Sequence, residues 1–423
     1  MPDVRPYLQS AVDTYLQSWI LRGLAVVWLG WLVYGWLYGF PGEDFIPYRI
    51  DFDVYRIGGQ VFRDGGELYG TMPETVAGIS LPFTYPPIAA AIFSLLTFVS
   101  WRAGSVTLSA LTVASMLVVL FLVVRELGAN RRDSVWLTVA LGCIALYLNP
   151  FAETVQFGQI NAVLMALVMV DLLVGRGKWW QGSLIGLAFA IKLTPAVFLG
   201  WFLMRRDWRQ LAVGVGSALL FTGVGFALRP ADSWAYWTRV LPASERIGEP
   251  AYPSNQSLNG MLHRAMLGDS ATWVWFIASV VIGLACLVVI RRLLQRGDDL
   301  TPAVVLGVYA LVASPVSWDH HFVWAAPAMV LTTAWLWRLR RPWPAWAAAA
   351  LTAAGLWIFR HAPHWELPHP PEQNPLWTPL QQVVGGAYFW WALGFLALAA
   401  LCSREQLDGV VARHAENDVP NSP

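Results

Sequence analysis

Long apolar runs separated by polar segments constrain this chain more than any other feature. Only 13% of its residues are charged, whereas a soluble domain carries about a quarter. Most of the runs approach the roughly 20 residues that a helix needs to cross a bilayer. The pattern predicts an all-α polytopic membrane protein with about twelve transmembrane or re-entrant helices. The runs lie near 18–40, 83–100, 103–125, 134–150, 158–175, 180–204, 209–228, 271–290, 302–316, 322–338, 344–360 and 380–402.

The runs follow one another to residue 402, which predicts a single transmembrane domain over residues 1–402. Polar loops are expected at 41–80, 229–270 and 361–379, and a cytoplasmic, disordered tail at 403–423. The net charge of +1 gives no reason to expect nucleic-acid binding. The cysteines lie within or at the ends of apolar runs, where packing is a better explanation than disulfide pairing; they are Cys143, Cys286 and Cys402.

Arginine clusters predict which ends of the helices are cytoplasmic. Clusters at 205–209, 291–296 and 338–341 place loops 41–80, 229–270 and 361–379 and the turn 317–321 on the external face. A strict count of twelve spans leaves other basic residues outside, namely Arg125, Arg131, Arg132, Arg176 and Lys178. Re-entrant or broken segments at 83–100 and 180–204 would move them inside. Loop 41–80 and turn 317–321 share a face in either topology.

Asp51 and Asp53 follow the first apolar run directly. A carboxylate there suits a general base that takes the proton of a sugar hydroxyl. Capping of a helix, or a salt bridge to Arg49 or Arg56, explains these carboxylates equally well. Val54, Ile57 and Val61 recur at helical spacing, which predicts a short interfacial helix that starts just after Asp53 and turns its apolar face to lipid; Leu68 continues the spacing.

A second polar cluster could bind a phosphate. Lys192 lies inside an apolar run, where an ionisable group is costly; snorkelling or pairing with Asp171 are the structural alternatives. Imidazole and ammonium donors suit the charge that builds on a phosphate leaving group. The spacing resembles no standard zinc site, so no metal is expected. The predicted phosphate-binding residues are Lys192, His320, His321 and Arg264.

Amides, aromatic rings and a few charged groups near these clusters suit the recognition of a sugar. Hydroxyls hydrogen-bond to amides, and the face of a pyranose packs on an aromatic ring. Helix capping explains Asn and Gln at such positions equally well. The predicted sugar- or acceptor-binding residues are Tyr55, Arg56, Tyr85, Gln159, Asn161, Asn255, Gln256, Asn259, Trp318 and Asp319.

Six motifs in this order resemble a known family. They are Asp51-Phe52-Asp53-Val54-Tyr55, Phe83-Thr84-Tyr85-Pro86-Pro87, Gly158-Gln159-Ile160-Asn161, Lys192-Leu193-Thr194-Pro195, Asn255-Gln256-Ser257-Leu258-Asn259 and Ser317-Trp318-Asp319-His320-His321. Over residues 45–325 the chain resembles glycosyltransferase family 87, the polyprenol-phosphate-mannose-dependent α-mannosyltransferases of actinobacteria. The resemblance implies the C-type membrane glycosyltransferase fold and an active site on the external, periplasmic face of the plasma membrane.

The resemblance also implies a chemistry. The partners are a polyprenyl-phosphate-mannose donor, a glycolipid acceptor and membrane lipid, and no cofactor or metal dependence is implied. A β-linked donor and α-linked products imply inversion, with the catalytic Asp in the first external loop; Asp51 is the best match and Asp53 the reserve. The expected acceptor is a phosphatidylinositol tetramannoside, in α-1,2 linkage. Related members put α-1,2 branches on lipomannan or transfer arabinofuranose from decaprenyl-phosphate-arabinose.

A lipid transporter or flippase is the main alternative of another class. Transporters tend to have repeated halves and binding groups near the bilayer midplane. No repeat is visible in this sequence, and most polar groups lie in loops at one predicted face. A structural scaffold would explain the apolar runs but not the ordered polar motifs.

Overall fold

The computed structural model describes residues 5–40, 47–243, 248–265, 270–339, 342–368 and 377–417. Within these ranges the fold is helical, with only two isolated β-bridges, Glu74–Ser80 and Asn255–Trp318. The predicted all-α class is therefore confirmed. Parts of the predicted loops 41–80, 229–270 and 361–379, and residues 418–423 of the predicted tail, lie outside the described residues.

Among the described residues, the first half of the chain forms ten α-helices, several of them short. They are α1 Arg5–Gln17, α2 Trp19–Tyr38, α3 Ile50–Asp64, α4 Pro87–Phe93, α5 Trp101–Glu126, α6 Arg131–Ala145, α7 Asn149–Phe157, α8 Asn161–Met169, α9 Ser183–Ile191 and α10 Leu199–Arg205. A 3₁₀ turn, Ser94–Phe98, extends α4, a π-helical turn, Val170–Val174, extends α8, and a 3₁₀ turn, Thr194–Phe198, precedes α10.

The described residues of the second half form longer helices and three more irregular turns. Its helices are α11 Trp208–Leu228, α12 Pro230–Ala235, α13 Leu258–Arg264, α14 Ser270–Leu294, α15 Leu300–Ala313, α16 Ala325–Arg338, α17 Pro342–His361, α18 Pro379–Gly385 and α19 Ala387–Asn417. The irregular turns are Tyr236–Val240, Asp319–Trp324 and Pro363–Trp365. Helix α19 runs on to Asn417, whereas the sequence predicts a disordered tail from residue 403.

Five described helices are long and apolar enough to cross a membrane: α2, α5, α11, α14 and the Ala387–Arg404 part of α19. Helices α6 and α7 would make a sixth span if counted together, but α7 is bent 80° away from α6. Shorter apolar helical segments lie at Pro87–Phe98, Asn161–Val174 and Leu300–Ala313. The protein is a polytopic membrane protein, and the count of twelve helices remains a prediction.

Helix α3 differs from its prediction in two respects. It begins at Ile50, so Asp51 and Asp53 lie in its first turn, and Arg49 occupies the N-cap position. Its apolar face packs on protein and not on lipid, because Gly58 and Gly59 let the chain around Phe93 approach closely. A Cβ on Gly59 would lie 2.6 Å from the carbonyl carbon of Phe93. Phe52, Val54 and Tyr55 are consequently buried.

Charged residues tie several helix ends together on one side of the bundle, here called the arginine end. Arg176 forms ion pairs with Glu126 at 2.7 Å and with Asp299 at 3.3 Å, and Arg205 also pairs with Asp299. Arg338 donates to the carbonyl of Leu127 at 2.7 Å. Because Arg176 and Arg205 both pair with Asp299, the chain between these two arginines leaves the arginine end and returns to it. A re-entrant or broken segment at 180–204, the alternative given from the sequence, has the same path.

Asp171 caps the start of α9. Its carboxylate accepts hydrogen bonds from the backbone N–H groups of Gly182, Leu184 and Ile185. Lys192 lies at the other end of this nine-residue helix, roughly 13 Å away at 1.5 Å per residue. The alternative in which Lys192 pairs with Asp171 is therefore wrong.

Arg49 joins four helices around the start of α3. Its side chain is fully buried, and its five hydrogen bonds go to four backbone carbonyls and one hydroxyl. Two of these carbonyls belong to the end of α2, where helix carbonyls lack intrahelical partners. The acceptors are Trp36, Leu37, Pro47, Ser105 and Val155. The predicted salt bridge from Arg49 to Asp51 or Asp53 does not form, because backbone groups occupy the guanidinium.

We expect Arg49→Met to destabilise the protein by about 3 kcal/mol or more, since each buried acceptor left unpaired costs about 1–3 kcal/mol. The melting midpoint of the purified protein in detergent measures this change. Arg102→Met, at an exposed arginine near the start of α5, is the matched control and should leave the midpoint unchanged. Equal midpoints for the two variants would contradict the proposed role of Arg49.

Candidate active site

A cavity of about 420 Å³ lies where α3, α8, α15, the break after α9 and the turn Asp319–Trp324 meet. One part of its wall is polar and another part is apolar. The apolar part includes Leu164, Met165, Val168, Phe198, Leu311 and Trp324. The polar part includes Asp51, Tyr55, Tyr85, Gln159, Asn161, Lys192, Ser317, Trp318, His320 and His321.

Asp51 is the carboxylate on the cavity wall. Burial raises the pKa of its carboxyl group. Three neighbours partly offset this effect: His320, Gln159 through a hydrogen bond, and Lys192. Each of these three partners comes from a different segment of the chain. The carboxylate thus faces a cavity in which several polar groups favour its charged form.

Two tyrosines hold Gln159 in place beside Asp51. The hydroxyl of Tyr55 donates to Oε1 of Gln159 at 2.9 Å and lies 2.9 Å from the hydroxyl of Tyr85. Gln159 follows Gly158, whose φ of +71° ends α7 in the left-handed region where glycine is favoured. Asn161 then begins α8. The Gly158–Asn161 motif therefore turns two amides towards the cavity.

Lys192 reaches the cavity because α9 ends at Ile191 and Lys192 adopts an extended backbone. Its ammonium donates to Oδ1 of Asn161 at 2.8 Å and lies 3.5 Å from Nε2 of His321. Burial and the neighbouring Lys192 lower the pKa of His321 well below its ordinary value. His321 is therefore a neutral imidazole at neutral pH.

His320 and Asp319 lie in the same turn but have different surroundings. The carbonyl of His320 accepts a hydrogen bond from Thr154 of α7 at 2.7 Å, and its ring lines the cavity. Asp319 is fully buried behind the cavity wall and does not line it. Its carboxylate accepts bonds from Ser254 at 2.7 Å and Trp365 at 2.8 Å and lies 3.0 Å from Nε2 of His364.

The motif at 255–259 braces the turn that carries these histidines. The backbone N–H of Ser317 donates to the side chain of Asn255, and that of Gln256 donates to the carbonyl of Ser317. The side chains of Asn255 and Asn259 also bond the carbonyl of Pro315. Neither these two amides nor Gln256 lines the cavity.

Arg264, Asp53 and Arg56 are also absent from the cavity wall. Arg264 is buried and donates to the carbonyls of Tyr252 and Asn255. Arg56 donates to the carbonyl of Val99 at 3.2 Å. The carboxylate of Asp53 accepts three hydrogen bonds, from Tyr48, the backbone of Val76 and the indole of Trp101. All three side chains hold the surrounding structure together.

Two residues near the cavity, the half-buried Glu153 and the buried His364, were not identified from the sequence. Glu153 of α7 has a carboxylate oxygen 4.0 Å from Nδ1 of His320, and His364 contacts Asp319 from a proline-rich loop. A carboxylate between two apolar runs was a signal that could have pointed to Glu153. His364 offered no such signal, since the contact joins segments 45 residues apart.

The helical membrane fold, with a carboxylate, a lysine and two histidines on one cavity, defines a polytopic membrane enzyme. Residues 83–315, more than half of the chain, match the model of glycosyltransferase family 87. The chain belongs to this family.

The similarity to two mannosyltransferases extends over about nine tenths of the chain. The chain is 36% identical over 397 residues, 90% of both chains, to a polyprenol-phosphate-mannose-dependent α-(1-2)-phosphatidylinositol mannoside mannosyltransferase of Mycobacterium tuberculosis. A protein of the same name from Mycolicibacterium smegmatis is 38% identical, over 91% of this chain and 89% of its own. An α-(1->3)-arabinofuranosyltransferase of Corynebacterium glutamicum is 32% identical, over 46% of this chain and 45% of its own.

We expect Asp53→Asn and Asp51→Asn to have opposite effects on stability. An amide cannot accept all three hydrogen bonds of Asp53, which costs about 1–3 kcal/mol. The pKa of Asp51 is raised in the fold, so its ionised form opposes folding at pH 7, and Asn removes that cost. Melting midpoints at pH 7 should fall for Asp53→Asn and hold or rise for Asp51→Asn. The reverse order would contradict the assigned environments.

Proposed function

We propose that this protein transfers mannose from polyprenyl-phosphate-mannose to a phosphatidylinositol mannoside, in α-1,2 linkage and with inversion. The mannosyltransferases to which it is similar over about nine tenths of its length support the donor and acceptor classes. The observation that carries the mechanism is the cavity, whose wall bears both a carboxylate, Asp51, and the cation Lys192 with His320 and His321.

Asp51 acts as the general base. It takes the proton of the acceptor hydroxyl as the oxygen bonds to the anomeric carbon of mannose. The bond from that carbon to the phosphate oxygen breaks at the same time, and its electron pair leaves with the polyprenyl phosphate. Attack from the face opposite the phosphate converts a β-linked donor into an α-linked product. One carboxylate base is sufficient for this single displacement, and Asp53 has its acceptor capacity occupied by other donors.

Lys192, His320 and His321 bind the phosphate of the donor. The negative charge on the phosphate grows as the glycosidic bond breaks, and donors held in place before the reaction stabilise it. Asn161 positions the ammonium of Lys192 through its 2.8 Å hydrogen bond. The apolar wall next to these groups suits the first isoprene units of the lipid.

The remaining polar wall binds sugars. The cavity volume lies within the roughly 300–1,000 Å³ range of small-molecule sites. Gln159 and Asn161 offer hydrogen bonds to hydroxyl groups, while Tyr85 and Trp318 offer ring faces. The cavity does not include the arginine end of the bundle. By the positive-inside rule that end is cytoplasmic, so the cavity opens to the external face of the plasma membrane.

We expect Asp51→Asn to lower kcat by at least 10²-fold, because general base catalysis contributes about 10²–10⁴-fold. The assay combines purified protein in detergent, polyprenyl-phosphate-mannose and a phosphatidylinositol tetramannoside, and follows the product by mass. The wild type should add one hexose. Asp53→Asn is the matched control, and it should retain turnover where it remains folded. An active Asp51→Asn beside a folded but inactive Asp53→Asn would assign the base to Asp53.

Other donors and acceptors in the same assay test the substrates. Mannose transfer to lipomannan fragments and not to the tetramannoside would keep the reaction and change the acceptor. Transfer from decaprenyl-phosphate-arabinose would match the similarity to an arabinofuranosyltransferase. No transfer from either lipid would overturn the proposed function and favour transport.

The pH dependence of kcat/KM should reflect Asp51. The base works only when ionised, and burial raises its pKa above the ordinary value of 3.8. Activity should therefore be lost as the pH falls through this raised pKa, at a higher pH than for an exposed aspartate. A profile of kcat/KM against pH, with melting midpoints at each pH, separates this loss from unfolding. If the folded enzyme loses activity only at or below pH 3.8, the assignment of Asp51 as the general base is contradicted.

A further inference from the structure

A pair of carboxyl groups, one fully buried and one half-buried, lies behind His320, on the side away from the cavity. Asp319 belongs to the same turn as His320, and Glu153 reaches it from α7. Oxygen and nitrogen atoms of these three side chains all lie within 4.8 Å of one another. His320 is thus interposed between the carboxyl pair and the cavity that it lines.

The hydrogen bonding of the two carboxyl groups differs. Asp319 accepts bonds from Ser254 and Trp365, and its Oδ1 lies 3.5 Å from Nδ1 of His320. Oε2 of Glu153 has no hydrogen-bond partner in the described part of the chain, and neither has either ring nitrogen of His320, which is only 6% exposed. A half-buried glutamate and a buried imidazole lie 4.0 Å apart, both with unused hydrogen-bonding capacity, and a small movement of either side chain brings them within the reach that a proton transfer needs.

The proposed reaction creates a need for a proton here. The phosphodiester of the donor carries one negative charge, whereas the released phosphomonoester carries two unless it is protonated. The cavity wall offers one lysine to this charge, and a single ammonium compensates only one of the two negative charges. Protonation of the departing oxygen by a neighbouring imidazole removes the second charge.

We propose that Glu153 stores a proton that reaches the departing phosphate through His320. This inference rests on the proposed function. As the bond from carbon to phosphate oxygen breaks, Nε2 of His320 gives its proton to that oxygen, and Nδ1 takes the proton of Glu153. Glu153 ends as a carboxylate. After the products leave, Nε2 of His320 takes a proton from solvent and Nδ1 returns its proton to Glu153, which restores both groups. The acceptor proton goes separately to Asp51, so the protons balance.

The charges around Glu153 favour its protonated form before the reaction. Burial and the nearby Asp319 raise the pKa of Glu153, because two carboxyl groups this close do not both ionise readily. Other titratable groups that face Glu153 or His320 are Asp51, Lys192, Tyr252, His321, His364 and Tyr388. Glu153 does not line the cavity, so it acts on the substrate only through His320.

The test compares two donors in Glu153→Gln. One is polyprenyl-phosphate-mannose, and the other is the same lipid with sulfur in place of one non-bridging phosphate oxygen. The leaving group of the sulfur donor is a weaker base, so its departure depends less on protonation than that of the ordinary donor. With the ordinary donor we expect kcat to fall about 10²-fold and KM to change little. With the sulfur donor the deficit relative to wild type should shrink several-fold. Glu67→Gln, the same change at an exposed glutamate, should match the wild type with both donors.

A second set of variants distinguishes a relay from a structural role. His320→Gln should show the same dependence on the donor, and Glu153→Gln combined with His320→Gln should be no slower than the slower single variant, because both changes interrupt one path. Glu153→Asp keeps an acid and should recover part of the activity. This variant also keeps the inference falsifiable if Glu153→Gln does not fold.

Several outcomes would overturn the inference. They are a kcat for Glu153→Gln within twofold of wild type, an equal deficit with both donors, additive losses in the double variant, or a folded Glu153→Asp no more active than a folded Glu153→Gln. If the wild type transfers mannose and any of these is found, only the relay fails. If the wild type transfers no mannose, the proposed function fails and the relay fails with it.

Discussion

The buried guanidinium of Arg49 is the interaction on which the cavity end of the bundle depends. It bonds the last carbonyls of α2, a serine of α5 and a carbonyl of α7, and it occupies the N-cap of α3. A buried cation without a carboxylate is tolerable here because carbonyls at helix ends carry partial negative charge. Asp51 follows two residues later, so the same contacts set its position relative to Gln159 and His320.

The buried and half-buried carboxylates divide according to how fully they are hydrogen-bonded. Asp53, Asp171 and Asp319 each accept several bonds from donors on other segments, and each holds part of the fold together. Asp51 and Glu153 lie beside the imidazole of His320, and Oε2 of Glu153 has no hydrogen-bond partner in the described part of the chain. A saturated carboxylate has little capacity left for a substrate, whereas an unsaturated one retains it. This difference supports the roles proposed for Asp51 and Glu153.

Much of the fold could be predicted because a bilayer imposes long apolar helices and places charges at their ends. The chain break at Lys192 follows from a lysine and a proline inside an apolar run. The packing of α3 on protein could not be predicted, since an apolar face packs equally well on lipid. Nor could the bracing role of Asn255, because its partners, Pro315 and Ser317, lie about 60 residues away.

The sequence alone determined the membrane class, the ordered motifs and the residue types on which the chemistry depends, because hydropathy and spacing are local properties. Nine of the predicted site residues line one cavity, namely Asp51, Tyr55, Tyr85, Gln159, Asn161, Lys192, Trp318, His320 and His321. Only the tertiary structure decided that Asp51 faces this cavity while Asp53 bonds Trp101, and that Glu153 lies behind His320. The reason is physical: the environment of a buried carboxylate is set by donors that folding brings from distant segments.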